Sequence, residues 1–110
     1  MRKKAIIYCF ADSHIYPGDQ REFLDVCFFR LLAYAYAHGM QVEAYYEDTQ
    51  EGIGDDIRLG LVQMQQDFVR NSCDAILVID LNQLPENFVF KYSKEVISIK
   101  ITERTQLMED

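Results

Sequence analysis

Three aspartates lie where an α/β sheet would place a reactive site. Asp12, Asp48 and Asp80 each follow or end an apolar segment with the composition of a β-strand. The carboxyl ends of parallel strands share one edge of a sheet, and ligands of such folds bind along that edge. Carboxylates gathered there could hold Mg²⁺ or accept a phosphoryl group, although solvent-facing strand ends favour aspartate in any case. A small metal-binding or phospho-accepting domain is therefore one hypothesis.

Apolar runs bounded by polar residues and turns indicate the strands that would position these aspartates. The run AILVID is aliphatic almost throughout, as expected of a strand that is covered on both faces. EVISIKI alternates in the manner of a more exposed strand. The predicted strands are Lys4 to Phe10, Gln41 to Tyr46, Ala75 to Asp80 and Glu95 to Ile101.

The first helix is predicted from its two ends and is apolar on more than one face. Asp19 and Glu22 have the spacing of a capping box, and Gly39 suits the left-handed residue that closes a helix after His38. With Leu24, Cys27, Phe28, Leu31 and Ala35 towards the sheet, the outer face carries Val26, Phe29, Ala33 and Tyr36. An apolar outer face predicts contact with a protein partner or self-association, unless Phe88, Phe90 and Tyr92 fold over it.

A second helix is predicted between the second and third strands. Asp55 and Asp56 favour a helix N-terminus, and the helix is expected to end near Asn71. Its apolar residues fall on one face and comprise Ile57, Leu61, Met64 and Phe68. The order strand, helix, strand, helix, strand, short connection, strand predicts a three-layer α/β fold. We expect a mainly parallel four-stranded sheet flanked by helices, with Rossmann or flavodoxin-like topology.

Composition narrows the classes of function that the chain can have. Its 110 residues fit a single domain over positions 1–110, and 49% hydrophobic residues suffice for a compact core. The net charge of −7 repels phosphate, and the stretch 43–56 carries six acidic residues without a lysine or arginine. Independent DNA binding is therefore not expected.

The compartment is predicted from the cysteines and the N-terminal segment. Cys9, Cys27 and Cys73 form no metal-binding or C-x-x-C spacing and are interpreted as reduced thiols. The apolar stretch from Ala5 to Ala11 is too short for a signal peptide or a membrane span. A cytoplasmic protein without membrane association, metal or cofactor is the expectation.

Five segments in order resemble the N-terminal catalytic domain of serine recombinases, the resolvase and invertase family. They are IIYCFADS, Gln20, LLAYAYAHGMQVEAYYED, the glycine loop leading into RLGL at Arg58 to Leu61, and DAILVIDLNQLPEN. These segments cover nearly the whole chain with the family's approximate spacing. The resemblance implies a resolvase-like version of the predicted fold.

The resemblance also implies a chemistry whose residues have changed in this chain. In the family, a serine after the first strand attacks a DNA phosphodiester, and several arginines stabilise the phosphoryl oxygens without a metal. The positions of one such arginine and of the serine are Phe10 and Asp12 here. After the third strand, the family's aspartate and two arginines correspond to Asn82, Gln83 and Glu86.

Three matched positions, Gln20, Asp48 and Arg58, keep the family's residue. Ser13 with His14 as its base could replace the missing nucleophile, but neighbouring loop residues seldom orient both side chains towards each other. We therefore predict a catalytically inactive recombinase-like domain that acts through protein association in the DNA recombination of a mobile element. Since the chain ends at Asp110 after its last predicted strand, no DNA-binding domain is expected.

Overall fold

The computed structural model of the protein describes residues 2–12, 18–50 and 58–99. Its described strands form one four-stranded sheet in the order β2-β1-β3-β4, and every pair is parallel. This confirms the predicted α/β class and the parallel sheet. The elements are β1 (Lys4–Asp12), α1 (Gln20–Ala37), β2 (Gln41–Gln50), α2 (Leu59–Arg70), β3 (Ala75–Val78), a 3₁₀ turn (Leu81–Gln83), α3 (Glu86–Lys91) and β4 (Val96–Ser98).

β1 is one of the two inner strands and is buried from Ala5 to Ala11, and its alternating side chains contribute to two hydrophobic cores. One core packs β1 against α1 and contains Leu24, Leu31 and Ala35. The other packs β1 against α2 and α3 and contains Met64 and Phe88. Because successive side chains of a strand point to opposite faces, β1 contributes Ala5, Ile7, Cys9 and Ala11 to the first core and Ile6, Tyr8 and Phe10 to the second.

Both ends of α1 follow the prediction from sequence. The Asp19 side chain accepts a hydrogen bond from the Glu22 backbone N–H at 3.2 Å, which satisfies one of the free donors of the first turn. Gly39 follows the helix with a φ of +68°, in the left-handed region that glycine adopts without steric strain. The α1 boundaries are therefore determined by local sequence.

The strand boundaries differ from the prediction because they depend on pairing with neighbouring strands of the sheet. β2 continues past Tyr46 to Gln50, since it pairs with the whole length of β1, and the register shifts between Ala5 and Ile6. β3 ends at Val78 rather than Asp80, whose carboxylate instead caps the following turn through the Asn82 N–H.

The predicted boundaries of the last strand and of the second helix fall partly outside the described residues. β4 covers three residues rather than the predicted stretch from Glu95, and residues 100–101 lie outside the described ranges. Helix α2 buries Leu61, Met64 and Phe68 as predicted, whereas Asp55, Asp56 and Ile57 lie outside those ranges. No helix within the described ranges is both long and apolar enough to cross a membrane.

Candidate functional site

The carboxyl half of β1, the start of α2 and the turn after β3 are joined by a connected group of polar side chains. The Tyr8 hydroxyl donates a hydrogen bond of 2.8 Å to Asp48 Oδ2. Arg58 Nε in turn donates to the Tyr8 hydroxyl oxygen at 3.2 Å. Tyr8 is buried in β1, and therefore the group begins inside the core and extends towards the sheet edge.

Asp48 is occupied by the first turn of α2. Its Oδ1 and Oδ2 accept hydrogen bonds from the backbone N–H groups of Gly60 and Leu61, both at 2.8 Å. Arg58, at the N-cap position, provides no side-chain cap, and thus a carboxylate from β2 satisfies the helix donors instead. A carboxylate at this end is also favoured by the helix dipole.

Gly60 makes this close approach of β2 and α2 sterically possible. A Cβ atom at this position would lie 2.6 Å from the Glu47 carbonyl oxygen and 3.0 Å from Asp48 Oδ2. Real Cβ contacts essentially never fall below 3.0 Å, so any side chain at Gly60 would displace backbone. The glycine before Leu61 is therefore a positioning element for Asp48.

Arg58 is held by three groups of the protein. Its Nη2 donates to the backbone carbonyl oxygen of Gln83, and its Nε donates to Tyr8. Its guanidinium carbon lies 3.9 Å from the centroid of the Phe10 ring, in the range of a cation–π contact. The planar guanidinium suits this combination of stacking and fixed donors.

Gln83 closes the inner side of the group. Its side chain is 6% exposed, and its Nε2 donates to the Phe10 carbonyl oxygen at 3.1 Å. Its buried Oε1 accepts no hydrogen bond from any described residue. A buried amide whose oxygen has no hydrogen-bond partner lowers the free energy of unfolding. Gln83 therefore reduces the stability of this site.

The Tyr8 hydroxyl is kept protonated by its surroundings. Burial raises the pKa of Tyr8 well above that of free tyrosine, and the hydrogen bond with Asp48 adds to this shift. The nearby positive charge of Arg58 opposes the shift without reversing it. Tyr8 therefore acts as a hydrogen-bond donor to Asp48.

Sequence reasoning did not identify Tyr8 as a member of this group. The available signal was its position two residues before Phe10, which puts both side chains on one face of the strand. A tyrosine hydroxyl within an otherwise apolar buried strand requires a hydrogen-bond partner. That partner, Asp48, comes from the neighbouring strand.

The structure brings together only part of the predicted site. Phe10, Asp48, Arg58 and Gln83 form the connected group described above. Gln20 is the first residue of α1, and its buried amide oxygen has no hydrogen-bond partner among the described residues. The other predicted positions are a half-buried Asp12 at the end of β1 and the exposed residues Asn82 and Glu86.

The structure corrects the hypothesis of a metal site built from Asp12, Asp48 and Asp80. Over the described ranges, no three His, Cys, Asp or Glu side chains are grouped so that they could hold a metal ion. Asp48 uses both oxygens for Tyr8 and α2, and Asp80 Oδ1 accepts from the Asn82 N–H at 3.1 Å. Capping explains the aspartate near the end of β2 and the aspartate after β3.

The predicted outer face of α1 is exposed. Val26, Phe29 and Tyr36 are 47%, 64% and 88% exposed, and Ala33 is exposed beside them. The aromatic residues after β3 do not cover this face. Phe88 is buried in the core on the opposite side of the sheet, where Tyr92 packs against it and against Phe68. The alternative that they fold over α1 is therefore wrong for Phe88 and Tyr92.

Comparisons with solved structures identify the fold. The chain is similar to the C-terminal catalytic domain of ISC1926 TnpA, an IS607-like serine recombinase, with a TM-score of 0.71 and 23% identity. That match covers 87% of this chain and 69% of the other. The N-terminal catalytic domain of TP901-1 integrase gives a TM-score of 0.67 and 22% identity over 89% of this chain and 78% of the other.

No protein-family model matches the sequence, and no curated protein sequence matches it significantly. The structural similarity therefore stands on the arrangement of elements. The chain has the fold of serine recombinase catalytic domains, which confirms the resemblance drawn from IIYCFADS and the later segments at the level of the fold.

Proposed function

We propose that this chain is a serine recombinase-like domain that performs no phosphodiester chemistry and acts by associating with other proteins. The observation that carries this proposal is that the guanidinium group of Arg58 is already bound by other residues of the protein. This arginine keeps the family's residue, yet Phe10, Tyr8 and the Gln83 carbonyl hold its guanidinium. Its stacked face and two of its nitrogens are thus occupied by the protein itself rather than open to a phosphate.

The changed residues around Arg58 support the loss of catalysis. By the resemblance, Asp12 replaces the nucleophilic serine, and its carboxylate would repel a phosphodiester at neutral pH. Phe10, Gln83 and Glu86 replace arginines, and removing one such donor typically lowers a rate roughly 100- to 1,000-fold. Glu86 would add a further negative charge near the phosphate.

Association is proposed through the outer face of α1, formed by Val26, Phe29, Ala33 and Tyr36. Their spacing of three, four and three residues forms one continuous stripe, as in helices that pack against another helix. Exposed aromatic residues such as Phe29 and Tyr36 commonly contribute much of the energy of a protein interface. The partner we propose is a second copy of this domain or a catalytically active recombinase, in the setting of mobile-element DNA recombination.

A DNA cleavage assay tests the loss of chemistry. The chain is incubated with supercoiled plasmid, and nicking and covalent protein–DNA adducts are measured. We expect neither from the natural chain or from Asp12→Ser, since Phe10, Gln83 and Glu86 remain unchanged. An adduct that disappears in Ser13→Ala would reject the proposal; Ser13 itself lies outside the described residues.

Light scattering coupled to size-exclusion chromatography tests association. If α1 mediates self-association, Phe29→Gln and Tyr36→Gln each shift the assembly towards monomer. Phe90→Gln is the matched control, because Phe90 is 86% exposed but belongs to α3 on the other side of the sheet. A monomer at all concentrations rejects self-association, and binding to a catalytically active serine recombinase is then measured instead.

A further inference from the structure

A groove runs between α2 and α3, on the face of the sheet opposite α1. Its volume is about 580 Å³, which is within the roughly 300–1,000 Å³ typical of ligand-binding clefts. Val69 and Tyr92 provide its apolar surface above the buried Phe88, and three carboxamide side chains provide neutral polar groups. The groove is therefore shaped for a partner with both apolar and polar groups.

The charge of the groove is opposite to that of the chain. Arg70 and Lys91 line it, and none of its lining residues is acidic, although the whole chain has a net charge of −7. Neither cation forms an ion pair with a described residue. Lys91 Nζ instead lies 5.3 Å from the Tyr92 ring centroid. The fold thus gathers two unneutralised cations beside an apolar surface.

We propose that this groove binds an acidic peptide segment of another protein. A large apolar side chain of the peptide would rest on Val69 and Tyr92, and its carboxylates would pair with Arg70 and Lys91. Charge complementarity is the reason for an acidic partner. The groove is separate from the outer face of α1, and binding there is independent of association through α1.

Two features favour a peptide over nucleic acid as the occupant. A nucleic acid presents a phosphate at every nucleotide, so the field of a chain with net charge −7 opposes it more strongly than a segment with two or three carboxylates. Two cations are also few for a phosphate backbone, whereas the half-buried Tyr92 and exposed Val69 suit an aliphatic or aromatic side chain.

Selection from a random dodecapeptide display library tests the proposal on the full chain. We expect enrichment of Asp and Glu next to Leu, Ile or Phe. Synthetic peptides from the enriched pool are then measured by fluorescence anisotropy. Arg70→Glu and Lys91→Glu should each weaken binding about tenfold or more, because each converts an attraction into a repulsion. Arg30→Glu, on the opposite face, changes the net charge equally and should leave the affinity within about twofold.

Circular dichroism and thermal unfolding of the three variants verify that the fold is retained. Amide shifts induced by the peptide should map to residues 65–70 and 87–92. The proposal would be overturned by no acidic enrichment, by equal weakening from Arg30→Glu, or by tighter binding of single-stranded DNA than of the peptide at the same ionic strength. Shifts confined to α1 would also overturn it.

Discussion

The guanidinium carbon of Arg58 lies 3.9 Å from the centroid of the Phe10 ring. By the resemblance to serine recombinases, Phe10 occupies the place of an arginine and Arg58 the place of another. An aromatic ring can stack on a guanidinium, whereas two adjacent guanidinium groups repel each other unless an anion lies between them. With phenylalanine at position 10, the Arg58 guanidinium is therefore held by a contact within the protein.

Arg58→Met tests whether this contact stabilises the fold. The variant loses the stacking on Phe10 and the hydrogen bonds to Tyr8 and Gln83, and we expect the free energy of unfolding to fall by about 2–3 kcal/mol. Urea denaturation measures the change. Arg70→Met is the control, since this exposed arginine forms no ion pair with a described residue and should change stability by less than about 0.5 kcal/mol. Equal effects would show that Arg58 has no structural role.

Gln83→Arg tests whether this buried position can accept an arginine, the residue that the resemblance implies there. Gln83 is 6% exposed and its backbone carbonyl contacts Arg58, so a second guanidinium would be buried beside the first. We expect a loss of about 2–4 kcal/mol in urea denaturation. Gln83→Met should lose only about 1 kcal/mol, because it removes the hydrogen bond to Phe10 together with the unpaired oxygen. A fully stable arginine variant would contradict this account.

Substitutions at Gly60 and Gly39 should differ in kind. At Gly60 there is no room for a Cβ atom. Gly60→Ala is therefore expected to destabilise the fold by about 1–3 kcal/mol, and Gly60→Asn by more. At Gly39 a Cβ atom would have open space around it, and the constraint is the backbone φ of +68°. Gly39→Ala should therefore lose about 1 kcal/mol of unfolding free energy, and Gly39→Asn should lose less. Thermal unfolding of the four variants measures the two rankings. The same order of Ala and Asn at both positions would contradict the steric explanation for Gly60.

Stability should fall at alkaline pH because Tyr8 is buried and Tyr46 is partly buried. Burial raises the pKa of Tyr46 to about 12 and that of Tyr8 further. The unfolded chain releases these protons near pH 10 while the folded chain retains them, so the free energy of unfolding decreases as pH rises above about 10. Each tyrosine contributes a slope of at most about 1.4 kcal/mol per pH unit. Below pH 10 this contribution is fully present.

Comparing Tyr8→Phe with the natural chain measures the contribution of Tyr8 to this pH dependence. The variant loses stability at pH 7, because Asp48 loses the Tyr8 hydroxyl, but its stability should decline less steeply above pH 10. Denaturant unfolding between pH 8 and 11 gives the two slopes. Parallel curves for both proteins would contradict a raised pKa for Tyr8. The buried thiol of Cys9, whose pKa burial also raises, contributes equally to both curves.

The sequence by itself determined the order of elements and the features that depend on neighbours in the chain. The Asp19 cap, the left-handed Gly39 and the apolar stripe of α2 could be predicted because capping, φ preference and helical periodicity act within a few residues. The sequence also shows phenylalanine and glutamine at positions 10 and 83, where the resemblance implies arginines. The exposed outer face of α1 followed from the same periodicity.

The tertiary structure decided which side chains meet, since those contacts join residues far apart in the chain. The parallel pairing of β1 with β2 brings Asp48 to Tyr8, and the close approach at Gly60 turns its carboxylate towards α2. Periodicity reports which face a residue occupies but carries no information on its partner across the sheet. For the same reason, only the packing of α2 and α3 on the same face of the sheet places Arg70 and Lys91 in one groove of an acidic chain.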